Sequence, residues 1–374
     1  MRSILTPTFT TGKLKQMTHL INECANTLKT NLGKLADERK PFETKSIWGG
    51  FTLDVISSTM FGLQADSQQQ GKESPFVKHA KSAFDFHPFH IALGVIFFFP
   101  ILTPLLKLLK IQFIKKEDQD FFVNLTTKTL ALRRTSKEVR PDFLQLMMDA
   151  HKEMHGKSGE VHNGLTDTQI LAQSLIFFLA GYETTTTLLS MWSYCLATNP
   201  EWQTKLQQEV DDVIGGTEIT HAKIKELPLL DMFMSEVLRV YPAITRFDRE
   251  VGKEYKLTDQ LTLPKGTDVA IPVYYMHHNE EYWPDHNKFD PERFTAEEKQ
   301  KRNPYTYVPF GLGPRNCIGM RFAKYEAKVA IVSALQDVTF IVSDKTQVPM
   351  DMTKMKPGGF LYPKDGIMLE VQRR

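Results

Sequence analysis

The stretch FGLGPRNCIG, Phe310 to Gly319, sets one cysteine among three glycines, a proline and an arginine. It stands directly ahead of MRFAKYEAKVAIVSALQDV, whose apolar spacing predicts an amphipathic helix. Gly311, Gly313 and Gly319 point to backbone positions with φ > 0, or to close approach of the chain to something bulky. Pro314 fixes a further dihedral. Cys317 therefore falls at or just before a helix N-terminus, where the dipole and free N–H groups favour a thiolate. A free cysteine taken alone is most often a small buried hydrophobe. The glycine frame and Arg315, two residues upstream, favour a ligand, and the rest of the chain has to decide.

The chain has 374 residues, 41% of them hydrophobic, enough for a large packed core in one big domain or two ordinary ones. Its 46 Lys and Arg against 44 Asp and Glu leave a net charge of +2, which argues against nucleic acid or another bulk polyanion as partner. Cys24, Cys195 and Cys317 are few and odd in number, so they imply no disulfide framework and suit a reducing compartment. The opening MRSILTPTFTTGKLKQM has no signal-peptide core. The run IALGVIFFFPILTPLL, Ile91 to Leu106, is shorter than the ~20 residues a membrane span needs and is broken by Pro100 and Pro104. Lys107, Lys110, Lys115 and Lys116 follow it, so two readings stay open: a buried core helix, or a segment lying in a membrane surface with its basic end toward headgroups.

The first 240 or so residues carry mostly helical spacing, with a polar loop, HKEMHGKSGEVHNG, whose His151, His155 and His162 read as solvated side chains. LTDTQILAQSLIFFLAGYETTTTLLSMWSYCLATNP predicts one long helix, capped at Thr166 or Asp167 and stopped by Asn199-Pro200. Thirty residues would span ~45 Å, and apolar character nearly all round places the helix in the middle of the molecule. From about Val251, EYKLTDQLTLPKGTDVAIPVYYM alternates and turns at Pro264-Lys265-Gly266, predicting a small β-sheet; the C-terminal MKPGGFLYPKDGIMLEVQRR predicts a turn and an edge strand. The expectation is a mainly α, α+β architecture, helices first and strands later.

Three further clusters carry chemistry. AGYETTTT sets Ala180, Gly181, Glu183 and Thr184 in a poor helix-forming stretch. Either the threonines bond back to the helix and Gly181 admits a neighbouring helix, or the small residues leave room for a flat ligand. In the second case Glu183 and Thr184 supply an acid and a hydroxyl in the groove, a pair able to relay protons into a dry site. SEVLR sets Glu236 and Arg239 three apart on one helix face, within apolar surroundings that imply burial and demand further hydrogen bonds. Arg293 in PERF is the candidate third member.

Taken together these motifs resemble the cytochrome P450 superfamily of haem-thiolate monooxygenases. FGLGPRNCIG resembles the family's haem-binding loop, SEVLR its ExxR helix, PERF its meander arginine and AGYETT its oxygen-activating helix, in the family's order and over essentially the whole chain. The wording PFGLGPRNCIGMRFA and FLAGYETT is most similar to the microsomal subfamily 3A and its invertebrate relatives. The resemblance implies a helix-rich haem domain over residues 1–374, with the membrane anchor and the first helices and strands of a typical member missing. A chain lacking them would be expected to hold haem poorly and to fold less stably alone.

By the same resemblance Cys317 is the proximal ligand of haem b, a thiolate that pushes electron density onto iron. Phe310, Gly311 and Gly319 shape its loop, with backbone N–H groups tuning the sulfur. Arg315, Arg249 and Arg2 pair with haem propionates. Glu183 and Thr184 guide protons into the oxygen site, which Ala180 borders. Glu236, Arg239 and Arg293 form a structural triad. Leu179, Ala180, Thr184, Ala243, Ile244, Thr245, Phe360, Leu361 and the apolar part of 91–106 meet a small hydrophobic substrate. The implied partners are O2, a membrane surface, NADPH-cytochrome P450 reductase and cytochrome b5, at the cytosolic face of the endoplasmic reticulum. Lys13, Lys15, Arg321, Lys324 and Lys328 are expected on the reductase-docking face. Two other readings remain: a haem-thiolate isomerase or dehydratase, against which intact Glu183-Thr184 argues, and a non-catalytic haem- or lipid-binding remnant.

Overall fold

The computed structural model describes residues 2–69, 75–84, 104, 108, 114–136, 140–153, 165–356 and 360–374. The apolar segment 91–106 lies outside the described residues except at Pro104, and so do the side chains of His151, His155 and His162. Among the described residues no helix is long and apolar enough to cross a membrane.

The longer helices, numbered along the chain, are α1 (Thr18–Glu38), α2 (Thr44–Ile56), α3 (Pro75–Phe84), α4 (Lys116–Thr135), α5 (Phe143–Glu153), α6 (Asp167–Thr198), α7 (Pro200–Val213), α8 (Pro228–Val240) and α9 (Met320–Leu335). The central helix, α6, has 32 residues. Thr166 caps it: its hydroxyl accepts from Gln169 N–H at 3.3 Å while the Gln169 amide oxygen accepts from Thr166 N–H at 2.9 Å. Pro200 opens the next helix and so ends this one. Every residue from Thr185 to Ala197 is buried, as an all-round apolar helix requires.

Helix α2 crosses α6 at close range through two glycines. A Cβ on Gly49 would stand 3.1 Å from the Tyr182 hydroxyl, and one on Gly181 would stand 3.1 Å from Ile56 Cδ1. Trp48, fully buried, donates its indole N–H to Ser193 Oγ at 2.6 Å across the same interface. Of the two readings left open at this stretch, Gly181 follows the first: it admits the neighbouring helix at close range.

The main sheet has the order β1 (Phe42–Glu43), β7 (Met368–Arg373), β6 (Val338–Val342), all antiparallel. The C-terminal strand is thus central, where an edge strand was expected. Its second neighbour, β1, is two residues long and carries no alternation a sequence pattern could reveal. Residues following α8 form two small pairs, β2 (Phe247–Glu250) with β5 (Asp268–Ile271) and β3 (Tyr255–Lys256) with β4 (Thr262–Leu263). The turn at Pro264-Lys265-Gly266 joins β4 to β5, with Gly266 at φ 86°.

Candidate haem-thiolate site

The cysteine loop closes on itself. Cys317 N–H donates to Phe310 O at 2.8 Å, Gly311 N–H to Val308 O at 3.0 Å and Asn316 N–H to Gly313 O at 3.1 Å. Gly311 and Gly313 take φ of 68° and 77°, the left-handed region that the turn requires of glycine. Gly319 does not share that role: it sits at φ −85° as the N-cap of α9, and a Cβ there would meet only the Phe9 ring, at 4.0 Å. Phe310 packs against the core, and Lys324 Nζ lies 5.5 Å from its ring centre.

Cys24 and Cys195 are buried, while Cys317 is exposed. Desolvation by the surrounding loop pushes the free Cys317 thiol up; the N–H groups of Gly319 and Met320 and the charge of Arg2 pull it down. An accessible sulfur in a glycine-framed turn directly ahead of the N-terminus of α9 suits a ligand to a metal cation. The donor set thus fits the haem iron that the motifs imply.

The three arginines assigned to propionates converge on this loop. Arg2 Nη2 donates to Asn316 O at 2.6 Å and to Asn316 Oδ1 at 2.9 Å. Arg249, on β2, donates through Nη2 to Arg315 O at 3.3 Å and through Nη1 to Asp248 O at 2.8 Å. The Arg315 side chain is exposed.

Behind the loop stands a buried ion pair. Arg239 Nε and Nη2 donate to the two oxygens of Glu236 at 2.7 and 2.8 Å, both residues being wholly buried on α8. The remaining guanidinium donors reach His277 O at 2.9 Å, His286 O at 3.0 Å and Lys288 O at 3.3 Å. Asp290 N–H completes Glu236 at 2.8 Å, and Arg293 Nε stands 3.8 Å from it while its Nη2 donates to Asp285 O at 3.0 Å. Burial pushes the Glu236 carboxyl up, and Arg239 opposes that shift. His277 then carries the cluster to the cysteine loop: its Nε2 accepts from Val308 N–H at 3.0 Å. Sequence reasoning missed His277, because nothing in YYMHHNEE distinguishes a fully buried histidine from its partly exposed neighbour His278.

The centre of α6 divides its two chemical residues. Thr184 is partly exposed beside exposed Ala180 and donates its hydroxyl to Ala180 O at 2.6 Å. Thr186 and Thr187 are buried, and neither hydroxyl has a hydrogen-bond partner. Glu183, 7% exposed, turns toward α2 and forms an ion pair with Lys45. The expectation that Glu183 and Thr184 share one groove is corrected to this extent: the carboxylate is drawn to a cation in the first turn of α2, roughly a hundred degrees around the helix from Thr184. Lys45 was not singled out from the sequence, since a lysine that follows FET at a helix start gives no sign of what it faces.

The residues proposed to meet substrate come together from distant parts of the chain. Ile244 and Phe360 form an antiparallel bridge, Leu361 N–H donates to Ala243 O at 3.3 Å, and Thr245 O accepts from Tyr274 N–H at 3.0 Å. Leu361 itself is buried, whereas Phe360 and Leu179 are partly exposed. On the expected docking face, Lys328 is 7% exposed and paired with Asp231 at 2.6 Å, so it is an internal charge and is removed from the free patch.

A family model described as Cytochrome P450 matches residues 1–371. The chain is 40% identical over 375 residues to "Cytochrome P450 3A41" of Mus musculus, an alignment covering all of this chain and 73% of the relative. "Cytochrome P450 3A12" of Canis lupus familiaris and "Cytochrome P450 3A7" of Homo sapiens are also 40% identical, over 379 and 377 residues, with the same coverage. Similarity of this order over the whole chain, with the family model running through the cysteine loop, establishes that the chain belongs to the cytochrome P450 family of haem-dependent monooxygenases.

Proposed function

We propose that this protein inserts one oxygen atom of O2 into small hydrophobic substrates such as xenobiotics, steroids or lipids. It uses haem b and electrons from NADPH through NADPH-cytochrome P450 reductase, with cytochrome b5 as a second donor, at the cytosolic face of the endoplasmic reticulum membrane. The observation that carries this reading is the exposed Cys317, set directly before α9 in a glycine-framed loop closed by its own N–H on Phe310 O. Cys317 would hold haem iron; bound haem with a thiolate ligand supplies the activation of O2. Arg2, Arg249 and Arg315, which meet at the cysteine loop, would give the propionates of such a group guanidinium partners. Thr184 and Ala180 border the open side of α6 and would position O2, with Glu183 as the proton source behind them. Leu179, Ala243, Ile244, Thr245, Phe360 and Leu361 would form the apolar wall against substrate, which excludes water and orients the reacting carbon.

The carbon monoxide difference spectrum of the reduced protein, compared with that of Cys317→Ser, tests the reading. The parent is expected to show the red-shifted band of thiolate ligation and the variant to lose it. A band retained in the serine variant would refute Cys317 as ligand, and no band in the haem-reconstituted parent would refute the haem-thiolate reading.

A further inference from the structure

Lys324 stands in the second turn of α9, after the cysteine loop. It is partly buried, and its Nζ lies 5.5 Å from the centre of the Phe310 ring. An ammonium within about 6 Å of a ring centre is drawn to the negative face of the ring. Phe310 is itself partly buried against the core, and its carbonyl accepts the N–H of Cys317 at 2.8 Å. The acid that faces this part of α9, Asp231, is taken by Lys328 at 2.6 Å. Burial pushes the Lys324 ammonium below the ordinary lysine value; Asp231 opposes that shift, and the charges of Lys328 and Lys299 add to it. Lys299 has a ring of its own, with Nζ 6.0 Å from the centre of Phe294. Lys324 therefore turns onto the cysteine loop, whereas Arg321, one turn earlier, is exposed.

A half-buried ammonium gives up hydration and needs something in its place. Here that is the ring of the first residue of the loop, the same residue whose carbonyl anchors the cysteine. We propose that Lys324 is a positioning residue of the thiolate site. Its ammonium holds the Phe310 ring, and so the anchor of Cys317 N–H, and it sets one fixed positive charge against the loop. A cation beside a metal site favours the state that carries one more electron, because the attraction grows as negative charge is added. The step it biases is the one-electron reduction of bound iron from ferric to ferrous. The electron comes from the reductase, and no bond or proton changes hands at Lys324. The inference rests on the haem-thiolate reading given under Proposed function.

The test compares the full chain with Lys324→Met, Lys324→Arg, Phe310→Leu and the Lys324→Met/Phe310→Leu double variant. Hydrogen exchange of the Cys317 N–H, followed in the proteins as purified, reads the hold on the loop. Lys324→Met is expected to speed it by about three-fold, as loss of a partly exposed cation–π contact implies. Lys324→Arg is expected to stay near the parent, and the double variant to exchange no faster than Phe310→Leu. Spectroelectrochemical titration of the haem-reconstituted proteins, without reductase, reads the charge. Lys324→Met is expected to shift the equilibrium about three-fold toward the ferric form, a potential lower by about 30 mV at ~59 mV per ten-fold for one electron. Lys324→Arg is expected to recover the parent value. Unchanged exchange or an unchanged potential in Lys324→Met, or an arginine variant that behaves like the methionine one, overturns the inference. An effect seen only in reductase-driven turnover overturns it too, and would make Lys324 a docking charge. Should Lys324→Met not fold, Lys324→Gln replaces it in both arms with the same expectations. The exchange arm needs no carbon monoxide band, so failure of the haem-thiolate reading and failure of the Lys324 contact are told apart.

Discussion

Among the buried carboxylates that pair with cations, Glu236 and Glu183 are finished differently. Glu236 receives Arg239, Asp290 N–H and, at longer range, Arg293, while Arg239 spends its other donors on three backbone carbonyls. Glu183 receives Lys45 on one oxygen and nothing on the other. A saturated pair is a fixed joint: any movement breaks several bonds at once in a medium where each is hard to replace. A half-satisfied pair has fewer bonds to break when it moves. The first is tied to the cysteine loop through His277; the second joins α6 to the start of α2.

The largest effect expected from this contrast is on stability. Arg239→Ala strands a buried carboxylate and three carbonyls and should cost about 3–5 kcal/mol, read by denaturant unfolding, with loss of the carbon monoxide band. A variant that stays folded and spectrally normal would reduce the cluster to an ordinary contact. Thr184→Ala touches neither pair. Its lost hydroxyl bonds only to the helix backbone, so unfolding should be nearly unchanged while peroxide released per reductant rises by about ten-fold. Unchanged coupling would take Thr184 out of the proton route.

A third measurement uses pH. Burial lowers the pKa of His277 from 6.5 to about 3. The folded state keeps the ring neutral, so its contribution is fully present above the unfolded value and is lost as pH falls toward the folded one. Between those limits this single group gives a slope of up to about 1.4 kcal/mol per pH unit. His277→Gln, which retains an acceptor for Val308 N–H, should show a flatter acid limb of thermal stability than the parent; equal limbs would mean that the histidine is not held neutral. The smallest effect is expected at the helix crossing. Gly181→Ala gains roughly 1 kcal/mol of helix propensity but sets a methyl 3.1 Å from Ile56 Cδ1. The two terms should nearly cancel in unfolding experiments, and a loss of several kcal/mol would show that α2 and α6 cannot part at all.

Much of this was legible in the sequence, for identifiable reasons. The cysteine loop, the Glu236–Arg239 pair and the long central helix are local: glycine and proline positions, an i,i+3 spacing and a cap define each within a few residues. What was not legible depends on residues far apart in the chain. Lys45 meets Glu183 and Glu43 meets Tyr362 only after α2, α6 and the C-terminal segment have packed, and His277 meets Val308 across thirty-one positions of chain. Lys328 looked like a free surface charge because its position after the cysteine loop says nothing of Asp231 on α8. The edge-strand error has the same origin: Met368 and Leu369 pair with Glu43 and Phe42, near the other end of the chain.

That last pairing has a consequence for how the protein is made. During vectorial synthesis β1 leaves the ribosome with no strand to join, and β6 follows it much later with its own edge still open. Both wait for β7, which emerges after them and fills the gap between them. Sheet closure therefore cannot precede the synthesis of Met368–Arg373, and a ribosome stalled ahead of Met368 would release a chain with two strand edges open at once, a substrate for chaperones and proteases.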